Sequence, residues 1–486
     1  MAHFRHIHDL PDELLSEVLY FLVLSQSKPE PGVRAINRGS YKNRQSFGFG
    51  ETSDLDRFRL VCTRFMRIAT PRKFSHFNLR FSEKGFRRLD ELLQMQLACY
   101  VKSMTYLVRP FYQGNGLAPM LHSFGTKHPA LAKVHRGRLR EQIDLVSNGT
   151  DLSQLRTAIA SFSALQQLKL LRVQDGADEI LLDFVDDYDL INETANSQDT
   201  THFSFEYACA RAIRNLGISL VESQRTSIRF IGHQINPEAT LQLLHVPSTA
   251  LAAVGPRITS LDINFHCESD ISPIMTELSD VFKNFFLEAK NLVAIHIGFL
   301  PEHPFSITLD TIFHGFHWKT LRMLSLQGWY LTPEDLILLL RRHHAHLRAL
   351  HLALISLRAG KWASVLNVLR HEMQRLDRLE LRQIRYDKSF ISNDAEIIEP
   401  VPLPPHSSSS KVQWLSADEL GDDGVHVRRG QERLWETWVL TGRWQNERGQ
   451  VSNGYQNGYQ NGYQNGNGNG YGNGHENRAI NTTESP

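Results

Sequence analysis

Cysteine is scarce in this chain of 486 residues: Cys62, Cys99, Cys209 and Cys267 are the only four, and none is near another. Without a CxxC pair there is neither a disulfide framework nor a zinc-ligand spacing, and a reducing compartment is expected. Long apolar runs are missing as well. The longest, such as residues 18–24 and 336–340, fall well short of the roughly 20 residues that span a bilayer. Asp9, Pro11, Asp12 and Glu13 stand where a secretory leader needs an apolar core. Charge of one sign is not in excess either: 53 Lys and Arg against 52 Asp and Glu leave a net +1. No global basic field draws the chain to a phosphate backbone. The expectation is an intracellular protein, of cytoplasm or nucleus, with neither membrane nor nucleic acid as partner.

Signatures of catalysis are also absent. No HExxH, GxSxG or Walker loop occurs, and Gly48-Phe49-Gly50 is a lone GxG inside a polar loop. His343, His344 and His346 cannot share one helical face, so they read as an exposed helix C-terminus where imidazolium complements the dipole. Asp183, Asp186, Asp187 and Asp189 read as a solvated acidic loop. No catalytic residue, cofactor or metal is expected.

What is present is organised by three polar gaps. Residues 25–53 carry no periodicity; residues 400–410 put four prolines ahead of a serine run, a stiff and then flexible spacer. From 449 the chain repeats Asn-Gly-Tyr-Gln, a composition too poor in aliphatic side chains to offset the entropy of folding. Its tyrosines, Tyr455, Tyr459, Tyr463 and Tyr471, have almost no arginine beside them and read as an inert tail. Leu434, Trp435, Trp438 and Val439 mark one face of a short helix able to cap a repeat array.

The first ordered block begins with Pro11 at a first helical position, then Leu14, Leu15, Val18, Leu19 and Leu22 at three- and four-residue steps, a helix over about 9–24. A second helical stretch, capped by Ser53 or Asp54, carries Leu55, Phe58, Val61, Cys62, Phe65 and Ile68 and stops at Pro71; residues 77–81 alternate as a strand. The larger block repeats the pattern apolar-x-x-apolar-x-apolar. It occurs at Val101/Met104/Tyr106, Leu165/Leu168/Leu170, Ile258/Leu261/Ile263, Leu292/Ile295/Ile297, Leu321/Leu324/Leu326, Leu347/Leu350/Leu352 and Leu376/Leu379/Leu381. A half-matching unit, Ile228-Arg229-Phe230, falls in the widest gap. Helical segments over 273–288, 333–342 and 361–375 separate the later strands. One strand and one helix every 26–34 residues is the period of a leucine-rich-repeat solenoid, in which stacking the next unit covers the apolar face of the last. The asparagine that usually comes after the strand is missing.

The N-terminal block resembles a known family. Leu10-Pro11-Asp12-Glu13-Leu14-Leu15-Ser16-Glu17-Val18-Leu19, followed by Asp54-Leu55-Asp56-Arg57-Phe58-Arg59-Leu60-Val61-Cys62-Thr63-Arg64-Phe65, is similar to an F-box. Ala69-Thr70-Pro71-Arg72-Lys73-Phe74 and its strand resemble the exit of F-boxes in filamentous fungal proteins, and Tyr100–Tyr106 resembles the first strand after such F-boxes. The departure is the spacing, about thirty residues where the family has a short loop; each doubling of loop length costs only about 0.6 kcal/mol.

The expected fold is α/β. A three-helix F-box over 1–81 with its inserted loop precedes an irregular leucine-rich-repeat-like strand/helix solenoid over 82–399. The Pro/Ser linker at 400–410, a Trp-rich capping segment at 411–448 and a disordered tail at 449–486 complete the chain. The resemblance implies a substrate-recognition adaptor of an SCF-type E3 ubiquitin ligase, docking the SCF adaptor subunit, and through it the cullin, by Leu10, Pro11, Leu14, Leu15, Val18, Leu55, Val61 and Phe65. The other reading is a solenoid scaffold that binds a protein without recruiting a ligase. In each strand the residue between the last two apolar positions points to the opposite face. Those residues, Lys169, Arg229, Asp262, His296, Ser325, His351 and Glu380, with Met323 and Arg382 beside them, are the expected face for a protein substrate.

Overall fold

A computed structural model describes residues 7, 10–26, 54–114, 116–192, 202–235, 237, 240, 248–265, 272–299, 307–386, 436, 439–441, 443–445 and 451–453. Three helices come first: α1 (Asp12–Gln26), α2 (Asp54–Arg59) and α3 (Thr63–Lys73). The Pro11 carbonyl accepts the Leu15 N–H at 3.1 Å, so Pro11 precedes α1 as its cap rather than opening it. Pro71 does not stop α3. It lies inside the last turn, where the missing N–H forfeits one bond only and the helix runs on to Lys73. Leu15, Leu19, Leu55, Phe58, Phe65 and Ala69 form the core of this unit, with the Phe58 and Phe65 rings stacked 4.4 Å apart. Asp12 ties α1 to α3 through Arg64 (2.6 Å) and Arg67 (2.9 Å), and the first of these holds its carboxyl below the usual range.

Two residues after α3 the chain enters β1 (His76–Arg80), which pairs in parallel with β2 (Ser103–Val108). The boundary expected at 81 therefore lies between α3 and β1. Helix α4 (Glu83–Gln94) joins those strands, and β3 (Phe111–Gln113) comes after β2. Helices α5 (Leu117–Lys127), α6 (Pro129–Ser147) and α7 (Thr150–Ser161) precede β4 (Gln167–Arg172). Next come α8 (Gly176–Asn192), β5 (His202–Ser204), α9 (Phe205–Ser223) and β6 (Ile228–Ile235). Then α10 (Ser248–Val254) leads to β7 (Ile258–Phe265), and α11 (Ser272–Glu288) to β8 (Ala294–Phe299). After α12 (Leu309–Phe313) come β9 (Met323–Gln327) and β10 (Tyr330–Leu331); after α13 (Pro333–Arg342), β11 (Ala349–Ala353) and β12 (Ser356–Leu357). Helix α14 (Trp362–His371) precedes β13 (Arg378–Arg382) and β14 (Arg385–Tyr386).

Nine strands, β1, β2, β4, β6, β7, β8, β9, β11 and β13, form one sheet in chain order with every pairing parallel. Each expected repeat supplies one of them. The cause is visible in burial: Leu168 and Leu170, Ile295 and Ile297, Leu324 and Leu326, and Leu350 and Leu352 all turn into the main core. Helices packed on one another in sequence, from α9 through α14, cover that face. The last three repeats add a second parallel ribbon, β10-β12-β14. Helix α13 begins with a capping box, Thr332 accepting from the Asp335 N–H and the Asp335 carboxylate from the Thr332 N–H, each at 3.2 Å.

The wide spacing between β2 and β6 is filled by a satellite core. Tyr112, Phe124, Leu181 and Phe203 pack where α5, α6 and α8 meet the antiparallel pair β3–β5. The acidic run expected as a loop lies in α8, whose Leu181 and Val185 give it a buried face. Nearby, Arg138 binds Asp175 (2.7 Å) and the buried Asp178 (2.6 Å).

At the far edge of the sheet the Leu381 N–H donates to Glu436 Oε1 at 2.7 Å, and Val439 is buried in the main core. Residues 25 and 26 of the loop expected at 25–53 belong to α1 instead; its remainder, together with Leu434, Trp435, Trp438 and the linker at 400–410, lies outside the described residues. So does most of the segment from 449, including its tyrosines, but β16 (Val451–Asn453) pairs antiparallel with β15 (Arg443–Gln445), so that boundary cuts a two-stranded pair. Cys62, Cys99 and Cys209 are free thiols; Cys267 lies outside the described residues. Among the described residues no helix is long and apolar enough to cross a membrane.

Candidate functional site

The eight expected docking residues divide by burial. Leu15, Leu55 and Phe65 are spent inside the three-helix core, so they hold the unit together and present nothing to a partner. Leu10 packs partly against that core, while Pro11 is exposed. Leu14, Val18 and Val61 are outward, 36–55% exposed. Sequence reasoning missed four larger outward side chains on the same unit: Tyr20, Phe21 at 66%, Leu60 at 78% and Met66. Leu14, Val18 and Phe21 recur at four- and three-residue steps and so share one side of α1. They form one uncovered apolar stripe. The signal for Phe21 was available in the same stripe.

On the sheet, pairing registers align Thr105, Lys169, Ile231, Asp262, His296, Ser325, His351 and Glu380 in one row. Six of the seven expected face residues stand in it. Arg229 does not: it pairs with Gln167 and Ser260, two residues down the strand, and Ile231 holds its place. The half-matching repeat had Ile228 as the partner of Leu261, whereas a register slip at Ile228/Arg229 brings Phe230 there. Arg229 still faces the row, its Nη2 reaching the Asp262 carboxylate at 3.3 Å. Met323 lies one row down, beside Ala294 and Ala349, and Arg382 one row up, beside Ala353.

Side chains along the row join into a relay. Asn264 Oδ1 lies 3.0 Å from His296 Nε2; His296 Nδ1 lies 2.6 Å from Ser325 Oγ; Ser325 Oγ lies 3.0 Å from His351 Nδ1. Beyond it, His351 Nε2 is 3.9 Å from Glu380, which pairs with Arg382. With the Asn264 oxygen facing His296 and both rings neutral, one proton arrangement satisfies these contacts. The Asn264 oxygen calls for His296 Nε2–H; His296 Nδ1 then accepts the Ser325 hydroxyl proton, and Ser325 Oγ accepts His351 Nδ1–H. His351 Nε2 is left bare and without a hydrogen bond among the described residues. Burial is the main cause that keeps the His351 pKa low; Glu380 opposes it.

Glu380, His351 and Ser325 stand in the order of a hydrolytic triad, yet in this arrangement the serine accepts from His351 and gives its proton to His296. The relay fixes hydrogen-bonding directions along the row. Ser325 is buried, while Lys169, Asp262 and Glu380 keep part of their surface in solvent. The strip thus combines hydrogen-bonding groups with flanking charge of both signs. Asn264, which sets the tautomers, was missed by reading only the residue between the last two apolar positions. It lies two residues beyond Asp262, on the same face.

The histidine cluster at the end of α13 departs from expectation. His343 is fully buried: its Nδ1–H donates to the Leu339 carbonyl (3.1 Å), and Nε2 accepts the Trp318 N–H (3.3 Å). Burial pushes its pKa down to about 4, so it is neutral and does not serve as an imidazolium at the dipole. The satellite core treats His135 alike, with Tyr112 Oη on Nδ1 (2.7 Å), the Ala177 carbonyl on Nε2 (3.1 Å) and a pKa pushed down to about 4, again chiefly by burial. Among the described residues no three His, Cys, Asp or Glu side chains are grouped to hold a metal ion.

No protein-family model matches this chain, and no curated protein matches it.

Proposed function

We propose that the chain is a substrate-recognition adaptor of an SCF-type ubiquitin ligase: an F-box of three helices docks the SCF adaptor subunit, and a leucine-rich-repeat-like solenoid holds the target protein. The observation that carries the reading is the uncovered apolar side of the helical unit, Leu14, Val18 and Phe21 on α1 with Leu60 and Val61 at the turn into α3. A unit that buries Leu15, Leu19, Phe58 and Phe65 against itself and leaves five such side chains in solvent is built to be covered. What supports the second half is the regular parallel sheet with one strand per repeat, whose open face carries the relay and its flanking charges.

The test is binding of the full chain to the SCF adaptor subunit. Leu14→Asp with Val18→Asp is expected to abolish co-purification and leave the melting temperature within a few degrees, because both side chains are outside the core. Interface anchors commonly cost about 2 kcal/mol or more each when removed. If the unaltered chain does not bind, the ligase reading fails and a scaffold without ligase recruitment takes its place.

The substrate half has its own expected result. Arg229→Glu with Glu380→Lys reverses two half-exposed charges at separate points of the face and should lower capture of the bound protein at least roughly tenfold. Adaptor-subunit binding should stay as it was. Unchanged capture would move recognition away from the sheet face.

A further inference from the structure

Helices α9, α10 and α11 lie side by side over β6 and β7, but they differ in length: 19, 7 and 17 residues. At 1.5 Å per residue the middle helix covers about 10 Å where its neighbours cover about 25 Å or more. Among the described residues the sheet beneath it is left partly bare, and a cavity of about 260 Å³ opens there. Leu216 and Leu220 of α9, Phe230 and Ile263 of the sheet, Val254 of α10 and Phe285 of α11 are among its walls, which are carbon almost throughout. A pocket with such walls takes apolar guests.

Two charged groups stand at the wall, Arg214 and Glu222, both of α9. Arg214 of α9 is exposed, lines the cavity and has no ion-pair or hydrogen-bond partner among the described residues, whereas Glu222, two turns further along the same helix, is taken by Arg156 at 2.7 Å. An apolar slot with a free guanidinium at its rim is complementary to a molecule with a hydrocarbon body and one anionic end. We propose that this cavity binds a fatty acid, the alkyl chain lying under α10 and the carboxylate held by Arg214. Gly217 supports the geometry. It lines the same cavity, and a Cβ there would meet only Val254 at 3.7 Å, an ordinary contact, so the slot has room to spare.

The experiment is calorimetric titration of the full, delipidated chain with dodecanoate, and with dodecanol as the uncharged probe. Dodecanoate is expected to bind at one saturable site. Arg214→Gln should weaken dodecanoate by roughly tenfold, the worth of a hydrogen bond to a charged group, and leave dodecanol within about twofold. Gly217→Leu, which fills the slot, should weaken both; Ala250→Phe, from the opposite wall, serves if that variant does not fold. No saturable binding by the unaltered chain, or equal weakening of both probes by Arg214→Gln, would overturn the proposal. Leu243→Ser with Leu244→Ser should leave the affinity unchanged. A tenfold gain would mean that the leucine-rich segment 241–247 is the occupant, and that too would overturn it.

Discussion

Trp329→Ala is expected to destabilise the folded chain by about 3–5 kcal/mol, the usual cost of truncating a fully buried large aromatic. Trp329 is 0% exposed; its Nε1–H donates to the Ile297 carbonyl at 3.0 Å and its ring meets Phe299 edge-on at 5.1 Å. One side chain thus fills the space between β9 and the end of β8, the preceding repeat. Gly328 is what lets it enter: φ is +71°, and a Cβ at this position would overlap the Phe299 carbonyl oxygen. A domain has only about 5–15 kcal/mol in hand, so this loss would be plain in urea denaturation. Met323→Ala, on the open face, should cost less than about 0.5 kcal/mol. A loss below about 1 kcal/mol for Trp329→Ala would show that the two repeats are not joined through the indole.

Acidification is the second large effect. His343 and His135 are both buried and neutral, with folded pKa values of about 4 against 6.5 when unfolded. The sign is set by which state takes up protons. Between pH 6.5 and 4 the unfolded chain binds a proton at each site and the folded chain does not, so stability is full above about 6.5 and declines as pH falls. At pH 5 each site has cost about 2 kcal/mol, about 4 kcal/mol for the two. Stability measured between pH 7.5 and 5 checks this. His343→Gln should roughly halve the slope whatever it does to absolute stability; an unchanged slope would remove His343 from the account.

The sheet was legible because its rule is local. Leu324 and Leu326, or Leu350 and Leu352, announce a strand and its inward face without knowledge of any neighbour. Lys169 and Glu380 could be placed on the open face for the same reason. Arg229 could not, because Ile228 and Phe230 are both apolar and only the pairing of β6 with its neighbours sets Arg229 opposite Gln167 and Ser260. The helical unit shows a different limit. Leu14 and Leu15 belong to one stripe by periodicity, yet only α3 decides which is enclosed: Leu15 meets the core with Phe65, and Leu14 faces out. His343 sits among polar neighbours in sequence and is buried because Trp318 stacks on it at 5.6 Å, a contact between residues 25 positions apart.

Parallel strands laid down in order have no intrinsic last member, since each new strand offers the next one the same row of donors and acceptors it has just used. At β13 that growth is ended by a carboxylate: Glu436 takes the Leu381 N–H that another strand would otherwise claim. The segment C-terminal to β14 thus bears on this edge of the sheet as well as the repeats themselves do. A second molecule, or an extended peptide, that adds a strand at β13 must first displace Glu436 from that hydrogen bond.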